Sequence, residues 1–330
     1  MSSYLIRGLV ADGGVRVVAA DTTDLVRDAV ERHGATRTAG AALGRSLTAG
    51  LLLAHVLLKD HRDRVTVRVR GDGPLGGVIA DAGLDGSVRG YVQHAEADMP
   101  LREDGKIDVG GGIGQGEMLV VRSHAPYGDP YSSTIDLVTG EIAEDVATFL
   151  ARSEQIASAV LLGVYFGPDG RVAHAGGVIL QALPDANDAA LAVLEANVKE
   201  FGGLTSAMQR APLRQLVEEE LAWGLGFENL TPEPLPVRFE CRCSDEKALD
   251  ALAYFSPEER RSMIEQDGGA EVVCHWCGEK RWIGPELIES LERDEIRCPD
   301  CGTLWHREGQ ARMVREGKLC ACGRPMELPN

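Results

Sequence analysis

A chain of 330 residues with 44% hydrophobic side chains holds enough apolar material for two or three domains with proper cores. Its formal net charge of −17, from 51 acidic against 34 basic residues, disfavours nucleic acids and anionic membranes as partners. The segment after Met1 has no secretory h-region, and the most apolar stretches, such as Leu51 to Leu58, read as too short for a bilayer, so a cytoplasmic protein without a membrane segment is expected.

Through residue 184 the texture is one of strands broken by glycine turns. Leu5 to Val10 and Val15 to Ala20 read as a hairpin around Asp12-Gly13-Gly14. Thr23 to Leu58 reads as helix, interrupted near His33-Gly34-Ala35. Val65 to Arg70 alternates with a period of two, as a half-buried strand does, and ends at Gly71-Asp72-Gly73-Pro74. Gly77 to Ala80, Val88 to Val92 and Met118 to Val121 continue the strand pattern. Glu141 to Leu162 carries Ile142, Val146, Phe149, Leu150, Ile156, Val160 and Leu161 at helical spacing, with a break near Ser153. Residues 1–184 are therefore expected to form an α+β domain of mixed sheet and helix.

After Pro184 the texture changes. Asp185 is placed to cap a helix with Leu191, Leu194, Val198 and Phe201 on one face, and Leu213, Leu216, Val217 and Leu221 make a second apolar stripe. Periodicity alone describes an ordinary packed helical layer. Leu230 to Pro236, with three prolines, reads as stiff extended chain and closes a linker of residues 185–236. Val237 to Phe239 then reads as a short strand. Ser256-Pro257-Glu258-Glu259 puts Ser at the cap, Pro at the first helical position and Glu at the third, which predicts a helix start. Gly268-Gly269 ends that helix, and Glu271 to Val273 returns as a strand.

No cysteine precedes Cys241, and the eight that follow form two tetrads. Cys241-x-Cys243 is answered by Cys274-x-x-Cys277, and Cys298-x-x-Cys301 by Cys320-x-Cys322. In a reducing compartment, metal ligation or redox sensing outweighs structural disulfides. Four thiolates with no open position make a structural zinc site. A module from 241 to about 283 has a thin expected core of Leu249, Leu252, Tyr254, Phe255, Met263 and Ile264, and needs such a staple. A structural zinc site contributes about 10–16 kcal/mol of coupled folding free energy, against the roughly 5–15 kcal/mol that holds a whole domain. Zinc is therefore expected on Cys241, Cys243, Cys274 and Cys277, with His275 at the surface and not a ligand. The second tetrad, with eighteen residues between Cys301 and Cys320, is expected to bind a second zinc in a ribbon-like module; a redox pair at Cys298-Pro299-Asp300-Cys301 is the alternative.

Disulfides remain open to the first tetrad. In extended chain the Cys241 and Cys243 alpha carbons stand about 6.5 Å apart, near the upper end of disulfide geometry, so that bond would be strained and labile. Oxidising either pair removes two ligands, and with them the staple of residues 241–283.

Over about residues 4–292 the chain resembles the family of 33-kilodalton redox-regulated heat-shock chaperones. The resemblance is carried by Arg70-Gly71-Asp72-Gly73-Pro74-Leu75, Val88-Arg89-Gly90-Tyr91 and Gly140-Glu141-Ile142-Ala143-Glu144-Asp145. It continues in Ser153-Glu154-Gln155, Gly177 to Pro184, Cys241-Arg242-Cys243-Ser244 and Cys274-His275-Trp276-Cys277-Gly278, with thirty residues between Cys243 and Cys274. The resemblance implies an α+β core (1–184), a helical linker (185–236) and a zinc-binding redox switch domain (237–292). It implies that the reduced, zinc-bound protein is a poor chaperone. Oxidation then joins Cys241 with Cys243 and Cys274 with Cys277, releases zinc and destabilises the linker. The oxidised protein holds unfolding clients without ATP, commonly as a homodimer, and hands them to ATP-dependent refolding chaperones. On this reading the apolar stripe of residues 185–224 is conditionally packed, covered by the compact switch. The additional module at 293–330 departs from the family; a second sensor, a structural zinc clamp and a docking module are all open readings, and the clamp is the favoured one.

The rival is a constitutive zinc-ribbon protein that binds protein or RNA. Acidic charge and the lack of interleaved aromatic and basic residues count against it, although Lys280-Arg281-Trp282 and Arg312 to Arg315 are local basic patches. An enzyme is not expected. A thiol oxidoreductase needs an accessible, activated cysteine beside a base, whereas each cysteine here has three metal-sharing partners. Gly71 to Pro74 lacks the lysine and spacing of a phosphate loop, and Gly110 to Gly116 is too irregular for a dinucleotide fingerprint.

Overall fold

Period-two apolar patterning and glycine turns give the first of two compact units, Met1–Cys241, a pair of six-stranded sheets. The computed structural model describes residues 3–124, 129–293, 295–297, 304–306 and 322. In chain order the first unit runs β1 (Tyr4–Val10), β2 (Val15–Asp21), α1 (Thr23–His33), α2 (Arg37–Leu57), β3 (Arg64–Gly71), β4 (Gly77–Gly83) and β5 (Ser87–Val92). It continues with α3 (Val109–Ile113), β6 (Gly116–Ser123), β7 (Tyr131–Asp136), α4 (Ala143–Arg152), β8 (Ser158–Phe166) and β9 (Val172–Ala182). Then follow α5 (Asp188–Phe201), α6 (Leu204–Met208), α7 (Leu213–Leu216) with a π-helical turn (Val217–Leu221), β10 (Phe227–Asn229), β11 (Leu235–Pro236) and β12 (Arg238–Phe239).

One sheet has the order β10-β1-β2-β9-β8, with β11 also pairing β1, and is antiparallel throughout. The other has the order β12-β5-β4-β3-β6-β7 and is antiparallel except at the parallel β12–β5 pair. The main core joins residues of both sheets to α2, which packs against strands of each. Gly34, in left-handed geometry at φ +58°, ends α1 where a side chain would be strained. Thr36 then caps α2, its hydroxyl accepting from Ala39 N at 3.3 Å. The 21 residues of α2 correct one expectation: by length and composition this helix could cross a membrane, and in the fold most of it is core.

The first sheet is buried on both faces. β2 sends Val18 and Ala20 into the main core, while Val15, Val17 and Ala19 face the layer made by α5, α6, α7 and the π-turn. There Leu194, Phe201, Leu204, Leu213, Leu216 and Leu221 bury against Ile6, Val178 and Leu180. Burying one such side chain is worth about 1.5–3 kcal/mol. The stripe of residues 185–224 is thus covered by the first sheet, where the switch module was expected to cover it. An apolar outer sheet face demands a layer, and these helices are the adjoining chain.

Three local expectations also change. Asn187, not Asp185, caps α5, accepting from Ala189 N at 2.8 Å. The stripe read as helix through Leu162 divides into α4 and β8, with Gln155 at φ +58° between them. A strand buried on both sides shows near-continuous apolar residues, which imitate a helical stripe over so short a window. The proline stretch is extended as expected, but it ends as an edge strand on β1, where a missing N–H is tolerated. Asp145 explains the Gly140 to Asp145 motif: its buried carboxylate accepts from Val138 N (2.7 Å), Thr139 N (3.1 Å) and Ile142 N (2.9 Å), holding Ile142 at φ +73°.

The second unit, Arg242–Asn330, contains α8 (Asp245–Leu252), α9 (Pro257–Asp267), β13 (Ala270–Val273), β14 (Lys280–Ile283), α10 (Pro285–Arg293), β15 (Glu295–Arg297) and β16 (Leu304–His306). The predicted capping box forms: Ser256 accepts from Glu259 N at 3.2 Å, and Glu259 accepts from Ser256 N at 2.8 Å. Gly268, at φ +72°, ends α9. Among the described residues the hydrophobic core here is Ala248, Leu252, Ile283, Ile288 and Leu291. Of the expected core, Leu252 is buried and Leu249, Met263 and Ile264 pack against it half-buried, whereas Tyr254 is 92% exposed and Phe255 is also at the surface. Ile283, at the end of the expected segment, and Ile288 and Leu291 beyond it complete the core.

Candidate metal centre

The hairpin of β13 and β14, antiparallel from Ala270↔Ile283 to Val273↔Lys280, carries Cys274 and Cys277 in its turn. Cys274 O accepts from Gly278 N at 2.8 Å and from Cys277 N at 3.3 Å, while Cys274 N donates to Glu279 O at 2.9 Å. These bonds curl the chain so that both sulfurs point to one side. Gly278, at φ +71°, makes the reversal, which a residue with a side chain would resist. The other pair leads into α8: Ser244 follows Cys243 and caps the helix, accepting from Lys247 N at 3.2 Å.

The Sγ atoms of Cys241, Cys243, Cys274 and Cys277 all lie within 4.8 Å of one another, with Cys243 and Cys277 Sγ 3.6 Å apart. Tetrahedral zinc with bonds of about 2.3 Å requires sulfur separations of about 3.8 Å, which the Cys243–Cys277 pair nearly meets, and the four lie close enough together to share one such ion. All four are thiols. Cys277 is buried and the other three are half-buried. His275 is exposed and outside the cluster, as the sequence suggested. Of the second tetrad, Cys298, Cys301 and Cys320 lie outside the described residues, and Cys322 is exposed.

Arg281, on β14, is the neighbour that motif reading missed. Its Nη2 donates to Cys243 Sγ at 3.7 Å and to Glu279 Oε1 at 3.1 Å, and its Nη1 pairs with Asp245. The Asp245 carboxylate first, and then the Cys243 sulfur, hold its pKa above the ordinary arginine value. Lys280 is paired with Glu271 at 3.0 Å. The two cations of Lys280-Arg281-Trp282 are thus both paired with carboxylates. The period-two alternation of β14 was the available signal, since it puts Arg281 on the side of buried Ile283.

At the glycine-rich segment Gly110 to Gly116, three backbone amides already meet carboxylates: Gly110 N with Glu141 (3.0 Å), Gly111 N with Asp108 (2.9 Å) and Gln115 N with Asp72 (2.8 Å). Amides held by acids do not cradle a phosphate.

The family described as Hsp33 protein matches residues 3–283. The chain belongs to the Hsp33 family. It is 52% identical over 335 aligned positions to the 33 kDa chaperonin of Thermus thermophilus, covering 99% of this chain and 97% of that one. It is 47% identical to the 33 kDa chaperonin of Deinococcus radiodurans, with 89% of this chain and 99% of the relative covered. The crystal structure of the 33 kDa chaperonin from Thermotoga maritima superposes with a TM-score of 0.79 at 32% identity, over 88% of this chain and 98% of that one. Hsp33 proteins are redox-regulated, zinc-associated chaperones that hold unfolding proteins without ATP, and this chain is such a chaperone and not an enzyme.

Proposed function

We propose that Cys241, Cys243, Cys274 and Cys277 are at once the zinc ligands of the resting chaperone and its oxidant sensors. The observation that carries this is the convergence of four thiols, in two close-spaced pairs, three of them on a unit with a small core. When bound, zinc keeps the four sulfurs as thiolates and supplies the folding free energy that this core lacks. Peroxide takes two electrons from a thiolate pair: an S–S bond forms, the O–O bond breaks, and the oxygens leave as water after taking up protons. The pairs are Cys241 with Cys243 and Cys274 with Cys277. Each closure withdraws two of the four ligands, and the second unit loses its staple.

Loosening then spreads to the linker, residues 185–236, which lies between the core (1–184) and the switch (237–292). Lifting α5 to the π-turn from the first sheet uncovers apolar surface on both, including Ile6, Val17, Leu213 and Leu216. Such surface takes up exposed apolar segments of unfolding proteins. The oxidised chain pairs as a homodimer and passes clients to ATP-dependent refolding chaperones. The thiol form fits a reducing cytoplasm. Cys298, Cys301, Cys320 and Cys322 bind a second zinc as a clamp within residues 293–330. The Thermus thermophilus relative, whose alignment covers 99% of this chain, supports treating that segment as part of the working protein.

Light scattering from a thermally unfolding client tests the proposal. The zinc-loaded reduced chain should leave aggregation unchanged, and peroxide treatment should suppress it as zinc appears in solution. A Cys274→Ser, Cys277→Ser variant should lose this dependence on oxidant. Equal suppression by the reduced and oxidised parent would contradict it.

A further inference from the structure

We infer that Arg281 is a positioning residue of the four-cysteine centre, holding the Cys243 sulfur in its ligand position through an N–H···S hydrogen bond. The inference rests on the zinc reading above and concerns how firmly the centre keeps its metal. Arg281 Nη2 stands 3.7 Å from Cys243 Sγ, within reach for a sulfur acceptor. The same guanidinium grips Asp245 and Glu279, and these are not arbitrary surface acids. Asp245 opens α8 two residues after Cys243. Glu279 belongs to the turn of the other pair, its carbonyl accepting from Cys274 N at 2.9 Å. One planar fork therefore ties the segment after the C-x-C pair to the segment after the C-x-x-C pair, and still presents an N–H to a ligand sulfur. Lysine has no such fork.

A tetrathiolate zinc site is doubly negative, so its sulfurs accept hydrogen bonds strongly. Donors in the outer shell fix ligand orientation, and their removal typically costs about 10–100-fold in metal affinity. The Arg281 side chain is only 21% exposed, so water competes poorly for the bond. Asp245, by contrast, is 78% exposed, and its ion pair contributes mainly by steering the guanidinium.

Zinc retention in the reduced full chain, read by competition with a chromogenic chelator in a Cys298→Ser, Cys320→Ser background, tests this. The cobalt-loaded form supplies a second readout in its thiolate charge-transfer band. Arg281→Met, which keeps the stem and removes the donors, should lower retention about 10–100-fold and shift the cobalt band. Arg281→Lys should recover part of the loss, and Asp245→Asn should cost about fivefold or less. Retention in Arg281→Met equal to the parent would overturn the inference. So would Asp245→Asn as damaging as Arg281→Met, because Arg281 would then be only a strut. Should Arg281→Met fail to fold in saturating zinc, Arg281→Lys is compared with Asp245→Asn: weaker retention in the lysine variant supports the inference, and equal retention overturns it. A parent that bound no zinc at these cysteines would instead remove the zinc reading itself.

Discussion

His55 lies near the end of α2 with both ring nitrogens buried and without a hydrogen-bond partner among the described residues. Burial, reinforced by the positive charge of Arg7, pushes its pKa down from 6.5 to about 4. The unfolded chain then binds a proton between about pH 6.5 and pH 4 that the folded chain refuses, so stability is lost as pH falls through that window. The shift corresponds to at most about 3 kcal/mol of stability. Urea unfolding of the parent should show this loss between pH 7 and pH 4, and His55→Leu should show a correspondingly shallower decline. An identical acid slope in both would refute the assignment. At this scale the sequence was legible where side chains act through chain spacing, as the four cysteines do. His55 is set by burial and by Arg7, distant in sequence, and Arg281 meets Cys243 and Asp245 across the module, so cysteine spacing revealed neither.

At the scale of elements, the proposed function makes the layer from α5 to the π-turn the segment that moves. Two of its helices are short, the five residues of α6 and the four of α7 being too few to persist without the sheet beneath them. A π-turn in such a place is a further mark of non-ideal hydrogen bonding. Leu216 is buried against the first sheet, so Leu216→Ala should cost about 2–5 kcal/mol of local packing. The expected outcome is partial suppression of client aggregation by the reduced, zinc-loaded variant, measured by light scattering beside the parent. No gain over the parent would separate linker packing from activity. The stripe of this layer was legible from periodicity, but its partner was not. An apolar face says that it must be covered, and only tertiary structure says by what. The confusion of β8 with helix has the same origin, because burial on both faces erases the alternation that marks a strand.

On the scale of the whole molecule, the chain has a well-packed first unit and a second whose described core is small. Cys243, Cys274 and Cys277 belong to the second unit and Cys241 ends the first. Under the proposed function, oxidation acts on the unit with the small core and leaves the two-sheet unit as a scaffold. The family, the mixed sheet-and-helix character of the core and the first tetrad could be read from motifs, because cysteine spacing and glycine turns are strict local requirements; the division into two sheets could not. The central claim is that the redox state of Cys241, Cys243, Cys274 and Cys277 governs whether the linker layer stays packed on the first sheet. Hydrogen–deuterium exchange of residues 188–221, compared in the zinc-loaded reduced chain and after peroxide, tests it most directly. The account predicts strong protection in the reduced form and its loss on oxidation, with β2 and β9 remaining protected. Unchanged protection of residues 188–221 after complete disulfide formation would contradict it.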